Sequence, residues 1–305
     1  MNIVTLTLSA ALDIHCEASM LRIDHENIAS VIGIDAGGKG INISKALKAM
    51  NTDSTAIAVL GDENADDFSK ILEGQGIFLE KIIIPGRIRE NITIHTENGK
   101  ETRISFTGAK APENLISEIE RKLDGTVNSE TLLTMTGRVP DGISIEDVKH
   151  LLKKLKAKGA RIIIDSRSFT LDDLKEVKPF LIKPNEEEIA SYMECEVSDL
   201  KSASAAACAL RSFGIENVMI SLGNKGAVLA AENAVYEVEA PIIQAVSTIG
   251  AGDSSIGGIL YALKNGEDFA KALKTAVAFG TAACLTEGTK PPKKEDVLRF
   301  IDLIK

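Results

Sequence analysis

A regular alternation of short apolar runs with longer helical patterns is the feature that most constrains how this chain can fold. Strands separated by helices of this length form a mostly parallel sheet that helices cover on both faces. The sequence therefore predicts a doubly wound α/β fold. The successive strand and helix segments are 3–8 with a helix after Gly40, 55–60 with 64–74, 131–135 with 144–158, 161–165 with 170–177, and 180–183 with 186–193.

Two extended segments of mixed polarity, 14–35 and 88–108, interrupt this alternation without a convincing helix between them. The second contains Asn98-Gly99 flanked by alternating residues, which is a strong signal for a β-hairpin. We expect the two segments to form a small β lid over the ends of the parallel strands, where doubly wound folds bind ligands. The whole chain, 1–305, is predicted to be one domain, and the lid is a part of it.

Composition narrows the possible partners. The chain is 44% apolar and 26% charged, which is typical of a globular protein, and its formal net charge is −9. This balance argues against broad contact with nucleic acid or an anionic membrane, so a few placed cations must hold any anionic ligand. The four cysteines and four histidines lack disulfide or zinc spacing. We therefore expect a cytoplasmic protein.

Neither end of the chain predicts a membrane segment. No Lys or Arg precedes Arg22, and residues 3–8 resemble a buried strand more than a secretion signal. The apolar stretch 275–285 is too short to cross a bilayer.

Residues 247–255, STIGAGDSS, combine a Gly-Ala-Gly turn with an acid at the start of a predicted helix. The bare N–H groups of Gly250, Ala251 and Gly252 and the helix dipole suit an anion such as phosphate. The same dipole should lower the pKa of Asp253 and keep it ionised, so that it can accept a proton from an attacking hydroxyl group. The alternative is that Asp253 only caps the helix.

Two further stretches carry polar groups at helix starts. In DAGGKGINISKALKAM (35–50), a glycine-rich turn without Walker spacing allows close backbone approach to a small polar ligand, beside Lys39 and Asn42. In LIKPNEEEIASYM (181–193), Asn185 and Glu188 can share one side of the first turn and face a magnesium ion. A plain glycine turn and a plain charged first turn are the respective alternatives.

Taken together and in this order, the motifs resemble those of the ribokinase-like sugar kinases, in particular the phosphofructokinase-B branch that includes fructose-1-phosphate and tagatose-6-phosphate kinases. The resemblance covers essentially the whole chain. Its motifs are TLSAALD (7–13), GGKGIN (37–42), GRVPDG (137–142), KPNEEE (183–188), SLGNKGA (221–227) and STIGAGD (247–253).

The resemblance implies an ATP-dependent and Mg²⁺-dependent kinase of a small phosphosugar, with a ribokinase-like fold and a lid that can also form a homodimer contact. It makes Gly250, Ala251 and Gly252 the anion hole and Asp253 the base. For the acceptor it implies Asp13, Gly38, Lys39 and Asn42. For the nucleotide it implies Lys183, Asn185, Ser221, Gly223, Gly226, Thr248, Gly250, Gly252 and Gly280, with the nucleotide along loops at 183–188, 221–226 and 276–283. Asn185 and Glu188 organise magnesium, largely through water.

Several positions depart from the family pattern. Ser9-Ala10 replaces the usual Asn-Pro, and Ile28 stands where relatives that act on sugar phosphates commonly have Arg. Arg138 occupies a usual Ser position, while Arg89 with Asn91 keeps the Arg-x-Asn pattern and Arg103 lies in the opposite half of the hairpin. We expect Arg138 to supply the charge that Ile28 cannot, together with Arg89 and Arg103. Alternatives are a kinase of an unphosphorylated sugar or nucleoside, and a non-catalytic sensor of sugar phosphate or nucleotide.

Overall fold

A computed structural model describes residues 1–97 and 99–304. The strands, in chain order, are β1 (Asn2–Thr7), β2 (Ala11–Ala18), β3 (Ser30–Gly37), β4 (Thr55–Gly61), β5 (Phe78–Ile84), β6 (Arg89–Thr96), β7 (Glu101–Ser105), β8 (Thr131–Thr136), β9 (Arg161–Asp165), β10 (Leu181–Ile182), β11 (Asn217–Ser221), β12 (Ala227–Ala230) and β13 (Val235–Val238).

The helices are α1 (Lys39–Ala49), α2 (Ala65–Gly74), α3 (Leu115–Asp124), α4 (Ile145–Ala157), α5 (Leu171–Val177), α6 (Glu186–Met193), α7 (Leu200–Ser212), α8 (Ala251–Lys264), α9 (Phe269–Ala283) and α10 (Lys294–Leu303). Among the described residues, no helix is long and apolar enough to span a membrane.

The large sheet has the order β13-β12-β11-β10-β9-β8-β1-β4-β5 within the described ranges. The strands from β11 to β5 in this order pair in parallel, and β12 and β13 extend one edge antiparallel. Neighbouring residues of one strand lie in different buried clusters, as Leu132 and Leu133 of β8 do. Because successive side chains of a strand point to opposite faces, both faces of the sheet are covered. The predicted doubly wound fold is confirmed.

Capping interactions define several helix starts. Ser144 accepts a hydrogen bond from the backbone N–H of Asp147 at the start of α4, and Thr170 forms a capping box with Asp173 at the start of α5. In both cases a hydroxyl residue is followed three residues later by an acid, which is the spacing typical of a capped helix start. Such caps satisfy N–H groups that a helix leaves without internal partners.

A second sheet of four strands, in the order β3-β2-β6-β7 over the described residues, stands beside the large one. We call it the small sheet. It is built from the two segments that interrupt the strand and helix alternation. The predicted turn between β6 and β7 includes Asn98, which lies outside the described residues, while Gly99 has φ 76°. Ala10, Leu12 and Ile88 pack at its base against Ile41 and Phe68 of the main body.

One expectation about the C-terminal part is wrong: residues 276–283 are not a loop but lie inside α9. A Cβ on Gly280 would lie 2.4 Å from the Oγ of Ser255, and a Cβ on Gly258 would lie 2.8 Å from the Cα of Ala276. The small residues therefore let α8 and α9 pack closely. They are a packing feature rather than a flexible connection.

Candidate active site

An open cavity of about 690 Å³ lies between the carboxyl ends of the parallel strands and the small sheet. Most of the residues predicted to bind ligands line it, which brings sequence segments from residue 13 to residue 253 together. They are Asp13, Gly38, Lys39, Asn42, Arg89, Arg103, Lys183, Asn185, Glu188, Ser221, Gly223, Gly250, Gly252 and Asp253.

The Gly-Ala-Gly turn (Gly250, Ala251 and Gly252) leads into α8 at the centre of this cavity. Gly250 precedes the helix with φ 78°, a left-handed conformation that favours glycine. A Cβ on Gly252 would lie 3.2 Å from the Nζ of Lys183. The turn therefore offers first-turn N–H groups, which a helix leaves without internal partners, with an ammonium group beside them. This arrangement suits a phosphoryl group.

Asp253, in the first turn of α8, is only 7% exposed, and one carboxylate oxygen accepts a hydrogen bond from Asn42 Nδ2 at 2.8 Å. Burial raises the pKa of Asp253 to about 6, although Lys39, Asn42 and Lys183 act in the opposite direction. The expected lowering of this pKa is therefore wrong, because loss of solvation outweighs the favourable charges. With a pKa of about 6, the group is still mostly ionised at neutral pH, as a general base must be.

Asp165, at the end of β9, connects two lysines in the floor of the cavity. Its carboxylate lies 2.8 Å from the Nζ of Lys39 and 3.6 Å from the Nζ of Lys183. Burial alone would raise the pKa of Asp165, but Lys183 and Lys39 outweigh it and hold this pKa below its ordinary value. Burial also acts against the charge of Lys39, yet Asp165 and Asp253 raise the pKa of Lys39 overall. Lys39 is therefore held charged in the floor of the cavity, while Lys183 lies beside Gly252.

Sequence reasoning did not identify Asp165, although an acid directly after a buried strand (RIIID) is a usable signal. Other lining residues that it did not assign to the site are Ala11, Asn91, Arg167, Glu186, Glu187, Ile249 and Thr289.

Asp13 lies where the small sheet meets the cavity, and it is 8% exposed. The same oxygen of Asp13 accepts hydrogen bonds from Asn91 Nδ2 at 2.7 Å and from Arg103 at 3.0 Å. The second oxygen approaches Gly37 so closely that a Cβ there would lie 2.5 Å away. Asp13 is thereby held in one orientation at the edge of the cavity.

Arg89 is the second arginine of the small sheet that lines the cavity. Burial lowers the pKa of Arg89. The positive charges of Arg103 and Arg138 also lower it, whereas the negative charge of Asp13 raises it. The buried Nε of Arg89 has no hydrogen-bond partner. Arg89 and Arg103 therefore share the carboxylate of Asp13, which leaves a local excess of positive charge for an anion.

Five predicted site residues do not line the cavity. The side chain of Arg138 is 68% exposed and pairs with Asp141 of its own loop at 3.0 Å, which corrects the expectation that it enters the pocket. Gly226 has φ 114°, and a Cβ there would lie 2.0 Å from the carbonyl oxygen of Val238, so it shapes the β11–β12 turn. Thr248 is exposed and Gly280 faces Ser255. Ala251 is the middle residue of the Gly-Ala-Gly turn and the first residue of α8.

Asn185 and Glu188 form a capping box at the start of α6. The Asn185 side chain accepts from the N–H of Glu188 at 2.9 Å, and a Glu188 oxygen accepts from the N–H of Asn185 at 3.0 Å. The other Glu188 oxygen lies 3.4 Å from Arg167 Nε. Because these oxygens are already engaged, they fit a magnesium ion that keeps its waters better than one bound directly. The described residues contain no group of three or more His, Cys, Asp or Glu suited to a metal.

Comparisons with known proteins identify relatives of the chain. A family model described as pfkB family carbohydrate kinase matches residues 15–296. The chain is 34% identical to a 1-phosphofructokinase of Borreliella burgdorferi over 284 residues, which cover 93% of this chain and 92% of the relative. It is 28% identical to a tagatose-6-phosphate kinase of Staphylococcus epidermidis over 308 residues, with 99% of both chains covered. The crystal structure of phosphofructokinase-2 from Escherichia coli in complex with substrates and products matches with a TM-score of 0.91 at 24% identity, covering 99% of both chains, and supports the fold.

Proposed function

The chain belongs to the pfkB family of carbohydrate kinases, and from this premise we propose that it transfers the γ-phosphate of ATP to a hydroxyl group of a ketohexose monophosphate. Relatives that match nearly the whole chain are 1-phosphofructokinases and a tagatose-6-phosphate kinase, so fructose 1-phosphate and tagatose 6-phosphate are the leading acceptors. Like other carbohydrate kinases, it is a phosphotransferase with an alcohol group as acceptor.

The observation that carries this proposal is the buried Nε of Arg89, which lines the cavity without a hydrogen-bond partner. A buried donor without a partner is costly, and a guanidinium group binds phosphate oxygens in a bidentate manner. Arg103 adds a second cation at the same end of the cavity. An acceptor that carries its own phosphate supplies both a hydrogen-bond acceptor and a negative charge for Arg89, whereas an uncharged sugar supplies only a hydroxyl oxygen.

The transfer itself rests on Asp253 and the Gly-Ala-Gly turn. Asn42 holds the Asp253 carboxylate by a hydrogen bond of 2.8 Å, so the free oxygen lone pairs can accept the proton of the attacking hydroxyl group. The N–H groups of the turn and the ammonium group of Lys183 stabilise the charge on the phosphoryl group as it moves in line. Asp13 holds sugar hydroxyl groups from the small-sheet side.

The nucleotide lies, in this proposal, along residues 183–188 and 221–226, with its terminal phosphate over the Gly-Ala-Gly turn. Asn185 and Ser221 are already paired in a short parallel bridge, which joins the two segments. Asn185 and Glu188 would hold Mg²⁺ mainly through its waters, and the ion would neutralise charge on the phosphates.

We also propose that the chain works as one kinase domain, with the small sheet as its lid and as a homodimer contact. Large apolar residues are exposed on the small sheet and its connections, and exposed apolar patches of this kind mark protein interfaces. These residues are Met20, Ile23, Ile28, Val31, Ile32, Ile34, Ile104 and Phe106. Closure of the lid would exclude water and limit ATP hydrolysis.

A cytoplasmic location fits this chemistry. Cys16, Cys195, Cys208 and Cys284 are all free thiols, which is usual for proteins of a reducing compartment. The proposed phosphosugar and ATP are also metabolites of that compartment.

A coupled assay of ADP release tests the acceptor. We expect one ketohexose monophosphate to be used with a kcat/KM about a hundredfold above those of fructose, ribose and adenosine, because charged hydrogen bonds to phosphate are each worth about 1.5–3 kcal/mol. A higher kcat/KM for an unphosphorylated sugar or nucleoside would contradict the proposal.

The variant Asp253→Asn separates the kinase from a non-catalytic sensor. We expect its turnover to fall by about two to four orders of magnitude, the usual contribution of a general base, while its affinity for ATP is unchanged. A wild-type protein that binds sugar phosphate and ATP but releases no ADP would favour the sensor.

A further inference from the structure

Thr289 lies in the short turn that follows α9 and lines the active-site cavity. Its hydroxyl oxygen is buried and has no hydrogen-bond partner. Among the described residues, the cavity-lining residues that carry a buried side-chain polar atom without a partner are Asn42, Arg89 and Thr289. The family resemblance already relates Asn42 to the acceptor, and the proposed function gives Arg89 the phosphate of the acceptor. The unpartnered hydroxyl of Thr289 indicates that it too has a ligand, since an unmade buried hydrogen bond is costly.

The turn around Thr289 is held firmly by its own hydrogen bonds. Thr286 Oγ1 lies 2.8 Å from the carbonyl oxygens of Ala283 and of Lys290. Lys290 also pairs with Glu287 at 2.8 Å. These contacts fix the backbone on both sides of Thr289, so its hydroxyl group is positioned before any ligand binds. A donor fixed in advance is the kind that stabilises developing charge.

The position of Thr289 relates it to the phosphoryl group. A Cβ built on Gly250 would lie 3.7 Å from the Cα of Thr289, so Thr289 stands against one end of the Gly-Ala-Gly turn. Lys183 stands against the other end, 3.2 Å from the equivalent position on Gly252. Gly288, the residue before Thr289, lies close to His15 of the small sheet. A Cβ built on Gly288 would be 3.3 Å from the Cε1 of His15. Thr289 therefore lies between the turn and the lid.

We propose that Thr289 Oγ1 donates a hydrogen bond to an oxygen of the phosphoryl group while this group is transferred. The turn, Lys183 and Thr289 then surround the moving group from three sides. This inference rests on the proposed kinase function and adds a binding residue from the α9–α10 connection. A hydroxyl group can serve because it is one of the donors found in oxyanion sites.

Two substitutions at Thr289 test the proposal by steady-state kinetics. Thr289→Val keeps the shape and removes the hydroxyl group, and we expect kcat to fall about tenfold or more with both KM values changed less than about twofold. Thr289→Ser keeps the hydroxyl group and should restore most of kcat. An unchanged kcat in Thr289→Val, a loss confined to either KM, or an equal loss in both variants would overturn the proposal.

A binding experiment that needs no acceptor separates this inference from the identity of the sugar. Aluminium fluoride with ADP and Mg²⁺ mimics the phosphoryl group in transfer, and calorimetry gives its affinity. Thr289→Val should bind this complex about tenfold more weakly than wild type and bind ADP with Mg²⁺ equally well. Equal affinity for the mimic in both proteins would reject the role of Thr289, even if the acceptor proves to be a different sugar.

Thr134 provides a matched control. It lies in β8, is fully buried, and its hydroxyl oxygen also has no partner, but it does not line the cavity. Thr134→Val removes the same group from the protein interior, and we expect its kcat and its affinity for the mimic to equal those of wild type. If Thr134→Val lost as much as Thr289→Val, the effect would be structural and the proposal would fail. Melting temperatures of all variants report whether each folds.

Discussion

Opposing physical effects act on Asp253. The start of α8 and the charges of Lys39 and Lys183 favour its ionised form, while burial favours its neutral form and raises its pKa to about 6. The net result is a carboxylate whose basicity is greater than that of an exposed aspartate and which is still mostly ionised near pH 7. A base of this kind accepts a proton better than an ordinary aspartate does.

The dependence of kcat/KM on pH follows from this pKa. Asp253 must be ionised to act as base, so we expect kcat/KM for the acceptor, which reports the enzyme before the acceptor binds, to rise about tenfold per pH unit below pH 6 and to level off above it. ATP is kept saturating so that the titration of free ATP does not contribute. Asn42→Ala removes a hydrogen bond that lowers the pKa of Asp253, so the pH at which the rate of this variant levels off should be higher than in the wild type. A break near pH 4 in the wild type would contradict the effect of burial.

Arg89 and Arg138 form a natural pair for testing the phosphate site. Arg89 is partly buried in the cavity wall with an unpartnered Nε, whereas Arg138 is 68% exposed and paired with Asp141. Arg89→Met should raise the KM for the sugar phosphate about tenfold or more and leave the KM for ATP nearly unchanged. Arg138→Ser should change either KM less than about twofold, because exposed ion pairs contribute little. The reverse ranking in steady-state kinetics would move the phosphate site to the Arg138 loop.

The predicted site residues Asn42, Lys183 and Asp253, each of which lies inside a sequence motif, line the cavity. Sequence reasoning did not identify Asp165 or Thr289, since each contributes one side chain from an element that carries no recognised motif. It also gave the wrong direction for the pKa of Asp253. The dipole of a helix start can be inferred from a sequence, but the depth of burial depends on distant segments that pack around the residue.

At the scale of elements, the turn between β11 and β12 depends on a glycine, because any side chain at this position would strain the turn. Gly226 has φ 114°, and a Cβ there would lie 2.0 Å from the carbonyl oxygen of Val238. We expect Gly226→Ala to lower the free energy of unfolding by about 2–3 kcal/mol, because strained backbone and a steric clash combine. Urea denaturation measures this change.

Gly223 in the same turn is the control for this prediction. Its φ is 55°, and nothing lies within 4 Å of a Cβ built there. Gly223→Ala should therefore cost only about 1 kcal/mol, the usual penalty of a left-handed conformation with a Cβ. Equal losses of stability in the two variants would show that the clash at Gly226 is relieved by movement of the backbone.

Helices and strands were predicted best where local signals mark their ends. Ser144 and Thr170 are followed three residues later by acids, and the helices begin where these caps predict. The family resemblance placed 276–283 in a loop, whereas this segment, with Gly280 and its small neighbours, lies inside α9. Their reason is tertiary: α8 packs so closely on α9 that only small residues fit. The close packing of α8 on α9 is a contact between two helices, so it leaves no local signal in the sequence of either one.

At the scale of the whole molecule, the alternation of strands and helices was sufficient to predict a doubly wound sheet but not its strand order. In that order β1 lies between β8 and β4, and β8 is more than a hundred residues away in sequence. Such pairings depend on which apolar faces meet in three dimensions. The same order brings the end of β9, the start of α1 and the start of α8 around one cavity, which explains how distant motifs form one site.

The exposed apolar side of the small sheet gives the last prediction, which concerns assembly. Val31, Ile32 and Ile34 of β3 are 60%, 55% and 49% exposed, a concentration of apolar surface that a second copy of the chain could cover. We expect sedimentation to show a dimer for the wild type and a monomer for Ile32→Glu, because a buried charge without a partner destabilises an interface.

Phe78→Glu, at the far edge of the large sheet and equally open to solvent at 63% exposure, should remain a dimer. Since the small sheet also carries Asp13, Arg89 and Arg103, loss of the contact should raise the KM for the acceptor more than that for ATP. A monomeric wild type would show that the apolar surface has another use.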